Sequence, residues 1–309
     1  MTPPPPLEDY RRLIHSPDAV VGGMRGKDSA SLNSPAPLIS IVTAVRNRRT
    51  TLPRTIESVL TQNFNNVEHV IVDGASTDGT VDVLKAYDDR LAFWISEPDG
   101  GLFDAMNRGV VLSRGEYIAL LNSDDYYAPG ALSAVAATIA ATQADVVFGD
   151  YIFVVDDIGM QKRIAATTQL NTGMSLGHAI FIHRRVYERL GLYDARLRYS
   201  ADLDFALRMK NGGVTFAHVA DGPALQYFSN GGAAEQHLAS ASWEATRALY
   251  REAGFAAGSI YGLKAARRVL SRGLLGIYGA VLGRAAFLRA KARYYRSVGY
   301  TATPPLSRP

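Results

Sequence analysis

Short apolar, β-branched runs alternate with helically spaced ones through the first half of the chain. "PLISIVTAV", Pro37 to Val45, has the length and branching of a buried strand. "TTLPRTIESVLTQ" follows, with Leu52, Ile56, Val59 and Leu60 on one helical face. Next, "VEHVIVDG" predicts a strand, "GTVDVLKAYDD" a helix, "LAFWISE" a strand, "GLFDAMNRGVVLS" a helix and "EYIALLNSDD" a strand. That alternation predicts an α/β fold, a mostly parallel sheet with helices on both faces. From Asp145 the pattern loosens into "DVVFGDYIFVVDD", which predicts no more than a separate strand pair. There is no internal repeat.

The ends of the chain differ from this centre. Residues 1–36 are rich in Pro, Gly, Ser and Asp and predict a poorly ordered leader with one short helix. The start, "MTPPPPLEDYRRL", lacks the basic then apolar pattern of a signal peptide, so a cytoplasmic location is expected. The net charge of +4 hides an asymmetry: residues 240–309 hold twelve Lys/Arg against two acids, and the remainder is net acidic by about six. Expected units are therefore a leader over 1–36, a main domain over 37–238 and a basic helical extension over 239–309. No cysteine is present, which excludes disulfides and thiolate metal sites. Aromatic-interleaved RNA-binding motifs are absent, so no nucleic-acid partner is expected.

Candidate chemistry gathers at predicted strand ends, where open parallel sheets bind ligands. The first strand ends in Thr43-Ala44-Val45-Arg46, the second in Asp73-Gly74-Ala75-Ser76 and the fourth in Asn122-Ser123-Asp124-Asp125. Adjacent carboxylates there suit either a turn or a hard divalent cation. Three polar strand ends at one sheet edge favour the site.

Six segments in order resemble the family 2 glycosyltransferases: "ISIVTAVRNR", "VIVDGASTDGT", "SEPDGGLFDAMNRG", "GEYIALLNSDD", "GHAIFIHRRVYERLGLYD" and "YSADLDFALRM". The likeness spans about Leu38 to Gly232 and is strongest to transferases of bacterial surface polysaccharide and glycolipid assembly. It implies a GT-A fold and an inverting transfer of sugar from a nucleotide-diphosphate donor, with UDP foremost. Thr43, Ala44 and Arg46 would then border the nucleotide, and Asp73 would accept from the uracil imide. Gly101, Asp104 and Asn107 would lie along the donor, although Asp104 also suits a helix-surface pair with Arg108. Asp124 would reach the ribose, and Asp125 would hold Mn²⁺ or Mg²⁺ on the diphosphate. Asp202 would be the general base. Asp204 has Arg208 one turn later, the spacing of a helix-surface ion pair. His178 would touch acceptor or diphosphate; a structural role suits it equally. On a strand it points away from His183, so one metal cannot collect both. His15, His69, His183 and His218 read as structural. In "NGGAAE", Ala233 and Ala234 stand where the family usually carries a hydroxyl.

The processive synthases' Gln-x-x-Arg-Trp motif and flanking apolar helices are absent, which predicts addition of one sugar. In the tail, Leu274, Leu275, Ile277, Tyr278, Val281 and Leu282 sit in an apolar stretch of about eleven residues between Arg272 and Arg284. A spanning helix needs about twenty. Two readings remain, a basic amphipathic helix on an anionic membrane and a helix packed on the domain. The first would place the enzyme on the inner face of the cell membrane, near a lipid-linked saccharide acceptor. A nucleotidyltransferase and a sugar-nucleotide-binding scaffold are the rival functions. "TAVRNRRTT" lacks the former's glycine-rich loop.

Overall fold

The computed structural model describes residues 18–26, 35–168, 178–220, 222–229, 237–266 and 284–303. The apolar runs form the middle of an eight-stranded sheet. Strands β2 (Ile39–Val45), β3 (Val67–Asp73), β4 (Phe93–Ser96) and β5 (Tyr117–Leu120) are parallel, with β2 between β3 and β5. All seven residues of β2 are buried, as a strand covered on both faces requires. Ile39 and Ile41 enter one core cluster with Tyr117 and Leu121, while Val42 and Ala44 enter another on the opposite face.

Beyond β5 the sheet continues through β10 (Ile180–His183), antiparallel, then β7 (Val146–Phe148) and β11 (Phe216–His218). A second sheet joins β6 (Tyr126–Tyr127), β8 (Tyr151–Val155), β9 (Met160–Ile164), β12 (Gln226–Ser229) and β13 (Thr301–Ala302). Helix α1 (Leu52–Leu60) follows β2, and α2 (Thr80–Ala86) follows β3. Helix α3 (Leu102–Leu112) lies against β2 because Gly109 lets the backbones approach. A Cβ there would sit 2.2 Å from Val42 Cγ1. Helices α4 (Ala131–Thr142), α5 (Arg184–Leu190), α6 (Ala201–Asn211) and α7 (Leu238–Glu252) complete the covering layers.

Three expectations change. Part of the leader is ordered: β1 (Val20–Gly22) pairs antiparallel with β4, and Arg25 is ion-paired with buried Glu68. "DVVFGDYIFVVDD" is not a separate pair, since β7 enters the main sheet and β8 the second one. Both pairings are with strands far along the chain, which local periodicity cannot register. The extension is also not wholly helical, because β13 returns to pair with β9.

Candidate active site

The parallel strands end at a cleft of about 430 Å³. Ala44, Val45, Arg46 and Arg48 reach it from the end of β2, Asp99 and Gly101 from the loop into α3, and Asn122, Ser123 and Asp124 from the end of β5. His178, Arg198, Tyr199, Asp202, Phe228 and Ser229 line it from elements later in the chain. Gly101 has φ +117°, and its amide donates to Asp99 Oδ1 at 2.8 Å, closing the turn that starts α3. Burial raises the Asp99 carboxyl above its ordinary range.

Of the two carboxylates after β5, Asp124 faces the cleft. It lies 4.0 Å from the Arg48 guanidinium. Asp125 is fully buried and accepts from Asn122 Nδ2 at 2.9 Å, Ser229 N–H at 2.9 Å and Gln226 Nε2 at 3.2 Å. Burial, reinforced by the neighbouring Asp124 charge, pushes its carboxyl up to about 7. Asp125, the residue expected to hold the metal, is thus turned into the protein and away from the cleft. Its oxygens face three protein donors, and the open carboxylate is Asp124. Among the described residues no group of three or more His, Cys, Asp or Glu is placed to hold a metal. A Mg²⁺-type site does not need one, because that ion takes one or two carboxylates together with substrate phosphates and water.

Other expected donor contacts are also redirected. Thr43 is buried, its hydroxyl 2.9 Å from His69 Nε2. Burial lowers that imidazole to about 3, which keeps it neutral. Asp73 is fully buried and accepts from Ser96 Oγ at 2.6 Å, from Ser76 N–H at 2.9 Å and from the Ser76 hydroxyl. Asp73 is not among the residues lining the cleft, and its described donors all come from Ser76 and Ser96, so here it organises the loop after β3. Asp104 accepts from Gly100 N–H at 2.9 Å and Arg108 Nε at 3.0 Å, the paired alternative, though largely buried. Buried Asn107 grips the Tyr193 backbone with both amide atoms, at 2.9 and 3.0 Å. Ala44, Arg46 and Gly101 do line the cleft.

Asp202 and Asp204 part company along α6. Asp202 opens into the cleft, and its Oδ1 accepts the Leu203 N–H at 2.8 Å. The surrounding protein raises its carboxyl above the ordinary value. Asp204 is 1% exposed and held by Arg208 at 3.0 Å and by Arg251. The Asp204–Arg208 pair is thus internal, not on a helix surface. Arg208 also donates to the Leu190 and Leu192 carbonyls and lies over the Phe205 ring. His178 lines the cleft stacked on Phe228, ring centroids 3.5 Å apart, and burial lowers it to about 4, so it is neutral near pH 7.

A family model described as Glycosyl transferase family 2 matches residues 40–191. The PGL/p-HBAD biosynthesis glycosyltransferase of Mycobacterium bovis is 33% identical over 178 residues, covering 56% of this chain and 70% of that protein. This chain belongs to glycosyl transferase family 2. Glycosyltransferase GlyG of Streptococcus pneumoniae is 32% identical to it over 117 residues, or 37% of this chain and 39% of that one. The crystal structure of S. aureus TarS 1-349 in complex with UDP superposes with TM-score 0.56 at 17% identity, covering 75% of this chain and 72% of the other. The architecture of this family 2 glycosyltransferase is the GT-A fold.

Sequence reasoning missed Arg48, Asp99, Arg198, Tyr199 and Phe228. Asp99 sat inside "EPDGG", where the glycines drew attention to the backbone. Arg198 and Tyr199 immediately precede "SADLDF" and could have been found as its flank. Phe228 carried no local signal. His183 caps α5 through Nδ1, which accepts the Arg185 N–H at 3.1 Å, and His218 pairs with Asp150 at 2.9 Å, both structural. His15, "NGGAAE" and residues 267–283 lie outside the described residues.

Proposed function

We propose that this glycosyltransferase moves one sugar from a nucleotide-diphosphate donor, UDP-linked, to an acceptor hydroxyl with inversion. One observation carries the reading: Asp202, a carboxylate with no cation among its described contacts, shares the cleft with Asp124, Arg46 and Arg48. The S. aureus TarS structures with UDP and with UDP-GlcNAc support the choice of donor. The lipid-linked saccharide acceptor is taken from the likeness of the six sequence segments to transferases of surface polysaccharide and glycolipid assembly.

The reaction follows from the charges. Asp202 takes the acceptor hydroxyl proton as its oxygen bonds to the anomeric carbon from the side opposite the diphosphate. The anomeric C–O bond breaks, and its electron pair leaves with the diphosphate. Arg46 and Arg48 supply positive charge at the cleft edge where that negative charge accumulates. Mn²⁺ or Mg²⁺, held through Asp124, would add Lewis-acid neutralisation of the diphosphate. A raised Asp202 carboxyl makes a stronger base once ionised.

The enzyme sits on the anionic inner face of the membrane through its basic extension. No helix among the described residues is long and apolar enough to cross a bilayer. A thermal-shift panel of nucleotides with and without Mn²⁺, followed by donor turnover, tests the function. Stabilisation follows RT ln(1 + [L]/Kd), so UDP with Mn²⁺ should exceed ADP and GDP. UDP binding without transfer or slow donor hydrolysis would leave a sugar-nucleotide-binding scaffold instead.

A further inference from the structure

Helix α7 buries Ala241, Ala245, Ala248 and Leu249 in the core, where Ala245, Ala248 and Leu249 share a cluster with Leu203 and Leu207 of α6. Its outer stripe carries Trp243, Arg247 and Tyr250, and Trp243 is 65% exposed. Residues 254–266 are helical and present Phe255 at 80% and Leu263 at 76% exposure. The two helices are locked together at Tyr250. Its hydroxyl lies 3.0 Å from Ser259 Oγ, and its ring is 5.8 Å from that of Phe255. Gly258 abuts the same ring, where a Cβ would fall 2.5 Å from Cδ1. Tyr250 and Phe255 thus join the two helices at their exposed side, with Trp243 one helical turn before Arg247 and Leu263 two turns beyond Phe255 as further exposed apolar side chains.

We propose that this exposed side docks on an anionic lipid bilayer, with Trp243, Phe255 and Leu263 at the headgroup–acyl boundary. The inference rests on the membrane reading above and names a surface for it outside the tail helix on which that reading was built. Charge selects the occupant. Exposed Arg247 and Lys264 flank the apolar side chains. The two acids of residues 240–309 are already paired: Glu244 accepts from backbone amides, and Glu252 meets Asn211 and Arg251. The face shown to solvent is apolar and cationic, which suits anionic headgroups above acyl chains. Trp and Tyr favour that boundary because one end is apolar and the other polar.

The surface also connects to the cleft. Glu244, next to Trp243, accepts the Arg198 and Tyr199 N–H groups at 3.1 and 2.8 Å, and Ser200 Oγ donates to the Ala241 carbonyl at 3.0 Å. Arg198 and Tyr199 line the cleft beside Asp202. Docking thus brings the cleft wall that carries the base to the bilayer, where a lipid-linked acceptor would enter.

The chain's two tryptophans make the test direct, since Trp94 is 2% exposed and Trp243 is 65% exposed. With full-length protein and phosphatidylglycerol vesicles, Trp243 emission should shift to the blue and be quenched by brominated acyl chains. Pure phosphatidylcholine should leave it unchanged. Phe255→Asp with Leu263→Asp should weaken vesicle binding by at least about tenfold, with an unchanged melting profile and unchanged nucleotide binding. Co-sedimentation with unaltered Trp243 emission would overturn this surface and leave attachment to the tail. No sedimentation at low salt would overturn both. A concentration-dependent emission change without vesicles would make a second copy the occupant and overturn the proposal. Transfer to a soluble acceptor in detergent reads the catalytic reading separately.

Discussion

Asp124 and Asp125 are neighbours in the chain and opposites in environment. Asp124 opens to the cleft 4.0 Å from the Arg48 guanidinium, while Asp125 is fully buried beneath donors from Asn122, Gln226 and Ser229. The pairing separates a carboxylate available for ligand charge from one that ties the end of β5 to β12 of the second sheet.

Asp124→Asn should therefore weaken Mn²⁺-dependent binding of the donor and lower transfer by on the order of 10²–10³, the usual cost of one charge-stabilising group. The fold should tolerate it, since a partly exposed position away from the core shifts stability within about 0.5 kcal/mol. Isothermal titration with UDP and Mn²⁺ checks the first point and a thermal melt the second. Full transfer by the variant would sink the metal assignment.

Asp125 predicts a pH dependence of stability. Its folded carboxyl titrates at about 7, above the unfolded value. The stability it contributes is complete below the unfolded value and is lost as pH rises through about 7. The slope approaches about 1.4 kcal/mol per pH unit within that window. Asp125→Asn should flatten this dependence in urea melts between pH 4 and 8. Gln226 Oε1 lacks a described partner. A flipped Gln226 amide would accept a hydrogen bond from the protonated acid, or from the side-chain amide of the Asp125→Asn variant.

Most of the sheet was legible because its central strands are covered on both faces and so read as apolar runs. β1 and β13 were not, nor was the place of β7 in the main sheet. They are two or three residues long, and their partners lie far away in sequence. The site was legible as a set of strand ends, but not in the direction each side chain takes. Thr43, Asp73 and Asp125 occupy the foreseen edge, yet His69, Ser76 and Gln226 meet them there. Those partners arrive from other strands or turns, and no spacing rule announces them.

Glu244 is a positioning residue for the cleft. Glu244→Ala leaves the Arg198 and Tyr199 amides without their acceptor and loosens the approach to Asp202. Acceptor KM should rise and kcat fall by about tenfold, as small misplacements near a reacting group do, while donor affinity holds. Glu244→Gln keeps acceptor oxygen at that position and should recover part of the loss. Equal effects of both variants on donor affinity and melting temperature would indicate a purely structural role.

Asp202 and Asp204, two residues apart, should fail in different ways. Asp202→Asn cannot accept the acceptor proton, so kcat should fall by on the order of 10²–10⁴ with unchanged UDP affinity and melting temperature. The Asp202 carboxyl, raised by loss of solvent around it, must be ionised to act. The acidic limb of kcat/KM should therefore lie above the ordinary aspartate value of about 3.9. Activity should fall as pH drops through that limb. Asp204→Asn strips the charge from a buried cluster and leaves Arg208 and Arg251 facing a neutral amide. Breaking a buried pair costs about 3–5 kcal/mol, far more than the few tenths of a surface pair at this spacing. The Asp204→Asn melt should therefore shift strongly downward, while the fraction still folded turns over close to normally. A stable but inactive Asp204→Asn beside an active Asp202→Asn would exchange their roles.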